Sequence, residues 1–361
     1  MVKFFEAMVS AGASDLHIKA GMPPRSRTRT LLQEAKSPPV SPEELQHLVT
    51  DLLDDRQMEE FRTKGSIDLA YELEGSDRFR LNIYHQRGAI AVAVRRVTRE
   101  IPDFPSLHLP PVIERVAENH QGLILISGGT GTGKSTTIAS MLEHINQTRA
   151  CHIVTIEDPI EYLYEDKKAM VSQREVGIDV ADFEDGLKYL MRQDPDVVLI
   201  GEMRDTDTFR AALQAAETGH LVLGTLHASS APQTIGRILD LFPPIARDRI
   251  RLSLAFNLRA IICQKLLPSI AAGIDRVPAV EILLAGPDVH KLLEEGRDAD
   301  LSDAIRSHER EGMQSFTKSL LELIDKEYVD PKVAYEAAPN VDELKMLMKG
   351  ISASRAGLLG R

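Results

Sequence analysis

Residues 122–137 read GLILISGGTGTGKSTT, an apolar run, a glycine-rich turn and the opening of a helix. Gly128-Gly129-Thr130-Gly131-Thr132-Gly133-Lys134-Ser135 matches G-x-x-x-x-G-K-[ST], with Thr136 next. In that setting the pattern leaves the chain little freedom. A strand must deliver it to a loop whose backbone N–H groups turn inward on an anion, and a helix must start where the loop ends. Glycine lets the backbone approach phosphate oxygens. Lys134 is then expected to reach β- and γ-phosphates, and the Ser135 hydroxyl to ligate Mg²⁺.

Such a loop belongs in a parallel sheet, and the surrounding sequence has the required alternation. Strands are expected at Leu123–Ser127, His152–Glu157, Val197–Glu202 and Leu221–Leu226, with helices near 134–147, 184–193 and 206–218. Beyond about 230 the pattern looks mainly helical.

Two strand ends carry acid. Asp196-Val197-Val198-Leu199-Ile200-Gly201-Glu202 is an apolar strand closing on a carboxylate. Glu202 could align Mg²⁺ or accept a proton from attacking water, and a neighbouring strand is the expected place for it. Thr155-Ile156-Glu157-Asp158-Pro159-Ile160-Glu161 places Glu157, Asp158 and Glu161 within five residues around a proline. Repulsion among them is relieved by a cation, so Glu157 and Asp158 join Ser135 and Glu202 as metal candidates. His220 and His227 flank the strand at 221–226. Their expected role is γ-phosphate sensing or coupling to a neighbouring subunit, against a purely structural alternative.

The first 99 residues form a different unit. A helix is followed by a short strand at Asp15–Lys19, and a single helix is expected from Pro42 to about Lys64, with Ser41 as N-cap and Glu44 three residues on. In Arg78–Tyr84 polar Arg78, Arg80 and Asn82 alternate with Phe79, Leu81 and Ile83, and Gly88 turns the chain into Ala89–Val97. The unit reads as small, mixed α/β and sheet-based. Residues 100–111 (EIPDFPSLHLPP) hold four prolines and read as a linker. A nucleotide-binding α/β domain over 112–350 and a flexible tail over 351–361 complete the expected organisation.

Length and composition agree. The 361 residues suggest about two or three domains. Hydrophobic residues at 43% are enough for a core, which excludes wholesale disorder. Formal charge is −11, opposite in sign to proteins that live on nucleic acid, so a DNA-moving motor is disfavoured. Cys151 and Cys263 are the only cysteines, which fits a reducing compartment and excludes a four-cysteine zinc site. No apolar run approaches a membrane span, and Glu6 interrupts any signal-peptide core. A cytoplasmic location is expected, with membrane association through a partner.

GTGKSTT at 131–137, TIEDPIEY at 155–162, QREVG at 173–177, RQDPDVVLIGEMRD at 192–205 and AETGHLVLGTLHA at 216–228 together resemble the type IV pilus retraction ATPases, the PilT branch of the secretion-ATPase superfamily. They correspond to that family's Walker A, aspartate box, Walker B and histidine box. The likeness runs from Ser14-Asp15-Leu16-His17 to Gly312-Met313-Gln314-Ser315-Phe316. It implies a PAS-like N-terminal domain, a RecA-like ATPase domain with a helical C-terminal region, ATP and Mg²⁺, and a homohexamer. It also implies an inner-membrane platform protein as partner, a possible paralogous pilus ATPase, and arginines donated across subunits, for which Arg80 and Arg95 match. Hydrolysis would drive pilus retraction in twitching motility, with Glu202 or Glu161 positioning the water.

Three features depart from the family pattern. Arg25–Lys36 lacks the glycine or asparagine of a tight hairpin, Gly129 replaces a usual proline, and His290 and Glu294 replace two arginines in the segment 288–295. The last departure keeps alive a non-hydrolysing regulatory paralogue. Pilus-assembly and type II secretion ATPases are further alternatives, disfavoured by the short N-terminal region and two cysteines.

Overall fold

The computed structural model describes residues 1–28, 31–73 and 77–350. It divides into two compact units, Met1–Glu100 with Ile160–Glu165, and Ile101–Pro159 with Asp166 onward.

The first unit is built on a sheet of β1 (Asp15–Lys19), β2 (Arg25–Thr28), β3 (Leu31–Glu34), β4 (Ser66–Glu72), β5 (Arg78–Gln86) and β6 (Ala89–Val97). Their spatial order is β3-β2-β1-β6-β5-β4, and every neighbouring pair is antiparallel. The two-residue alternation decides the faces. Phe79, Leu81 and Ile83 of β5 are buried with Val92 and Val94 of β6 and Leu16 and Ile18 of β1. Phe5 and Met8 of helix Val2–Ser10 close this core, with Phe5 stacked on Phe79 at 4.5 Å. The opposite face carries Arg80 directly across from Arg95. β2 and β3 pair antiparallel although Arg25–Lys36 holds no glycine or asparagine, in a register running from Arg25↔Glu34 to Thr28↔Leu31. The pair between them, 29 and 30, lies outside the described residues, as does the expected tail 351–361.

The helix expected from Pro42 to Lys64 is two helices, Pro42–Thr50 and Asp55–Lys64. The sequence holds the reason. Asp54 accepts from the Gln57 N–H while Gln57 reaches back to the Asp54 N–H, a capping box that starts a new helix.

The second unit contains β7 (Gly122–Ser127), β8 (His152–Glu157), β9 (Met170–Glu175), β10 (Val197–Ile200), β11 (Leu221–Leu226), β12 (Leu258–Pro268) and β13 (Arg276–Leu284). Their order is β13-β12-β7-β11-β10-β8-β9. All neighbours are parallel except β12 and β13. β7, β10 and β11 are buried along their whole length, as strands covered on both faces must be. Helices Lys134–Thr148, Thr206–Glu217, Ala231–Asp240 and Pro244–Asn257 follow in chain order.

The region beyond 230 is mainly helical, from Ala231–Asp240 to Val341–Met348, but β12 and β13 form a long antiparallel pair within it, from Ala260↔Leu284 to Pro268↔Arg276, which the sequence reading does not anticipate. Both are nearly continuous apolar runs, and a buried run lacks the alternation that separates strand from helix. The proline-rich stretch from Ile101 groups with the second unit and is packed there. Phe104 and Leu109 are buried, and Ser140 Oγ donates to the Pro102 carbonyl at 2.7 Å.

Candidate nucleotide site

The glycine-rich loop leaves the C-terminal end of β7, and helix Lys134–Thr148 begins directly after it. Gly128 needs its lack of a side chain, since a Cβ there would stand 2.6 Å from the Gln264 carbonyl oxygen and 2.6 Å from Thr132 Oγ1. Gly133, the residue before the helix, has φ +89°, a conformation that L side chains rarely adopt. Thr132 Oγ1 donates to the Gly129 carbonyl at 2.9 Å. The Lys134 ammonium is buried and donates to the carbonyls of Gly128 and Gly129, both at 2.9 Å. A cation folded back over a glycine cradle, at a helix N-terminus, fits a polyphosphate. Beneath the loop, Thr137 Oγ1 donates to buried Gln264 at 3.0 Å.

The acidic strand ends lie at the same edge of the sheet, in an order different from that of the sequence. The register sets Leu226 beside Ser127 and Ile200 beside Gly224 and Ile156. Glu202 is therefore not on the strand next to the loop, because β11 stands between β7 and β10. That insertion explains what Glu202 touches. His227, two strands' width closer to the loop than β8, has Nε2 3.1 Å from Glu202 Oε1. Arg204 donates to Glu202 Oε2. The Arg204 hydrogen bond and charge, with His227 and Lys134 adding theirs, hold the Glu202 carboxyl below its usual range against a modest desolvation cost. Glu202 is thus an ionised acceptor, suited to orienting water or a hydrated cation.

The strand ends are tied to one another. Thr225 Oγ1 donates to the Gly201 carbonyl at 2.6 Å, and the Met203 N–H donates to the Thr225 carbonyl at 3.1 Å. Glu157, at the end of β8, is buried and accepts from Thr155 Oγ1 at 2.7 Å and Gln173 Nε2 at 3.1 Å. Asp158 joins Pro159 through a cis peptide bond.

The structure does not gather Ser135, Glu157, Asp158 and Glu202 into a cage. Among the described residues no three His, Cys, Asp or Glu side chains form a metal-holding group. Magnesium bound between a nucleotide's phosphates and one loop hydroxyl needs no such cage. Glu161 belongs to the stretch Ile160–Glu165 that groups with the first unit, whereas Glu157 and Asp158 belong to the second. His220 is corrected outright as a phosphate sensor within its own chain. It precedes β11, whereas the glycine-rich loop follows β7, and parallel register puts these at opposite ends of the sheet. Its Nδ1 lies 2.9 Å from the Ala215 carbonyl and 3.2 Å from Thr218 Oγ1, at the end of helix Thr206–Glu217. In the first unit Arg95 is exposed and donates to Asp15 at 2.9 Å.

Sequence reasoning missed the groups that support these residues. Gln264 lies outside every motif, and Arg204, Thr225 and Ser127 lie in or beside the motif segments without a role being read for them. It also missed a cavity of about 370 Å³ beside Gly133, Thr136 and Thr137, walled by Leu107, His108, Leu266 and Ile274. Three distant stretches build it, so only the fold brings them together.

Sheet, loop and strand ends define a nucleotide-binding protein of the phosphate-loop class. Residues 2–277 match the family model described as "Type II/IV secretion system protein". The chain is 39% identical to the type IV pilus retractation ATPase PilT of Pseudomonas aeruginosa, over 91% of this chain and 94% of that one. It is 35% identical to the type IV pilus ATPase PilU of the same organism, over 98% and 92%. A crystal structure of the pilus retraction motor PilT with bound ADP superposes with TM-score 0.89 at 40% identity, covering 96% of this chain and 98% of that one. The ATPase DotB of Legionella pneumophila gives TM-score 0.76 at 28% identity, over 96% and 94%. The chain belongs to the Type II/IV secretion system protein family. Its architecture is an N-terminal α/β domain followed by a RecA-like ATPase domain.

Proposed function

We propose that the chain is an ATP hydrolase that powers type IV pilus retraction as a homohexamer, with residues 1–99 as a PAS-like domain and 112–350 as the RecA-like motor. The observation that carries this is the Glu202–His227 pair, 3.1 Å apart at the strand ends beside the Lys134 loop, in a chain 39% identical to a retraction ATPase over nine-tenths of its length. The loop from Gly128 to Ser135, with Thr136, holds the phosphates, and the cavity beside Thr136, where Leu107, Leu266 and Ile274 stand with Asp275 and Arg276, suits a purine, which has both ring faces and polar edges. Mg²⁺, when bound through Ser135, supplies charge neutralisation on the phosphates. Lys134 trades its two backbone carbonyls for phosphate oxygens. Glu202 orients the water, and His227 holds Glu202 in place. Arg80 and Arg95 serve the site of a neighbouring subunit, and the ring works beneath an inner-membrane platform protein with or without a paralogous ATPase.

Deleting the gene tests the direction of work. Hyperpiliated cells without surface motility are expected, counted by electron microscopy and twitching-zone diameter. Bald cells would reassign the chain to pilus assembly. No helix among the described residues is long and apolar enough to cross a membrane.

Glu202→Gln keeps the shape and removes the charge. Hydrolysis should fall by about 10²–10⁴-fold while ATP binding persists, measured as phosphate release against fluorescent-nucleotide affinity. Should Glu202→Gln turn over normally and Glu161→Gln be dead, the water-positioning role passes to Glu161.

A further inference from the structure

The mechanism above leaves unexplained how the phosphate loop and the Glu202–His227 pair keep register, since they arise from three different strands. Ser127 stands where they meet. It is the last residue of β7, fully buried, and bonded through the chain to Gly128. Its hydroxyl accepts from the Ala228 N–H at 2.9 Å and lies 3.0 Å from the Ala228 carbonyl and 3.3 Å from the Leu226 carbonyl, to which it donates. A hydroxyl has one proton and two lone pairs, so this group accepts from the Ala228 N–H while its single proton is shared between the nearer Ala228 carbonyl and the Leu226 carbonyl. Ala228 is the residue after His227. On its far side the segment is anchored again, where the Ala231 N–H donates to the Glu281 carboxylate at 2.8 Å. Ser229 and Ser230 between them bond forward to Gln233. His227 thus lies between two residues, Leu226 and Ala228, that the Ser127 hydroxyl holds.

We infer that Ser127 is a positioning residue that locks His227 against Glu202 and couples the state of the phosphate loop to the hydrolytic carboxylate. A shift of Gly128 on taking up phosphate reaches this segment by two routes, its own N–H donated to the Leu226 carbonyl at 3.3 Å and the covalent bond to Ser127 with that hydroxyl's hydrogen bonds to Ala228. His227 then moves relative to Glu202, which Thr225 holds through Gly201. The inference rests on the ATPase reading and deepens it. It makes a demand that a merely structural serine would not: loss of the hydroxyl should impair the chemical step and spare nucleotide binding, and the impairment should pass through His227.

The experiment uses the full chain, with Ser127→Ala, Ser127→Thr, His227→Ala and the double variant Ser127→Ala/His227→Ala, each first checked for a parent-like circular dichroism spectrum and assembly state. In Ser127→Ala, kcat should drop about 10–100-fold, the cost of a small misplacement of a catalytic group, while affinity for a fluorescent ADP analogue stays within about two-fold. Ser127→Thr keeps the hydroxyl and should recover most of the lost kcat. In the His227→Ala background, Ser127→Ala should cost less than about two-fold more. The inference is overturned if Ser127→Ala hydrolyses normally, if affinity falls in step with kcat, if Ser127→Thr is as impaired as Ser127→Ala, or if the two losses multiply in the double variant. A parent chain without turnover would overturn the ATPase reading and this inference together; an active parent with an unimpaired Ser127→Ala overturns this inference alone.

Discussion

ATP turnover collapses in Lys134→Ala, by about 10³-fold or more if the lysine contributes as charge-stabilising groups do in other phosphoryl transfers. The buried ammonium is held by the Gly128 and Gly129 carbonyls, so it is aimed into the loop before any ligand arrives. Removing it takes away the one side-chain cation in the cradle and releases those two carbonyls. The fold should survive, because Ser127, Thr132 and Thr137 fasten the loop independently. Phosphate-release kinetics alongside a thermal melt read both halves. Near-normal hydrolysis in a folded Lys134→Ala chain would remove the phosphate-loop assignment.

The second large effect is expected in trans. An arginine supplied to a neighbour's nucleotide is worth about 10³–10⁵ in rate in related enzymes. Arg80→Ala should therefore be nearly inactive by itself, although its own phosphate loop is intact. Mixing it with Lys134→Ala should restore part of the activity, because some interfaces in a mixed ring pair an intact loop with an intact Arg80. Mixed assembly is verified first, by copurification of differently tagged chains. Full activity of Arg80→Ala reduces the residue to a surface charge. Verified mixed rings with no recovery assign it a role inside its own unit instead, beside Arg95 across the β5–β6 pair.

Much of this could be read from residues alone, and the reasons it could are physical. β1, β6, β8 and β11 were legible to the residue because turn-formers or strong alternation bound them. The phosphate loop was legible because few other chemistries need glycine and lysine at that spacing. Failures have equally specific causes. One helix became two because the Asp54–Gln57 capping box was overlooked within a continuous polar run. β12 and β13 were lost because a strand buried on both faces resembles a buried helix. Strand order is not written in chain order, so Glu202 was placed next to β7 when β11 lies between them. His220 and His227 looked alike as flanking residues, yet a parallel strand has two ends and only one faces the loop. Ser127 and Thr225 sit within the motif segments, but what their hydroxyls bind is legible only with coordinates, since a strand-end hydroxyl does not say which neighbouring backbone it will meet.

The return of residues 160–165 to the first unit has a bearing on how the molecule is made and cut. Tyr162 bridges to Thr98, the Leu163 N–H donates to the Thr98 carbonyl at 3.3 Å, and Glu165 pairs with Arg99 at 3.2 Å. The unit is thus discontinuous in the gene. A fragment ending at the proline-rich stretch omits its closing piece, and a chimera that exchanges the first hundred residues inherits a foreign one. On the ribosome the same geometry imposes a delay. At about 5–20 residues per second, the closing piece is synthesised on the order of 3–13 s after Glu100, behind the phosphate loop and β8. The unit that leaves the ribosome first is completed only after the first stretch of its neighbour, Ile101–Pro159, has been made.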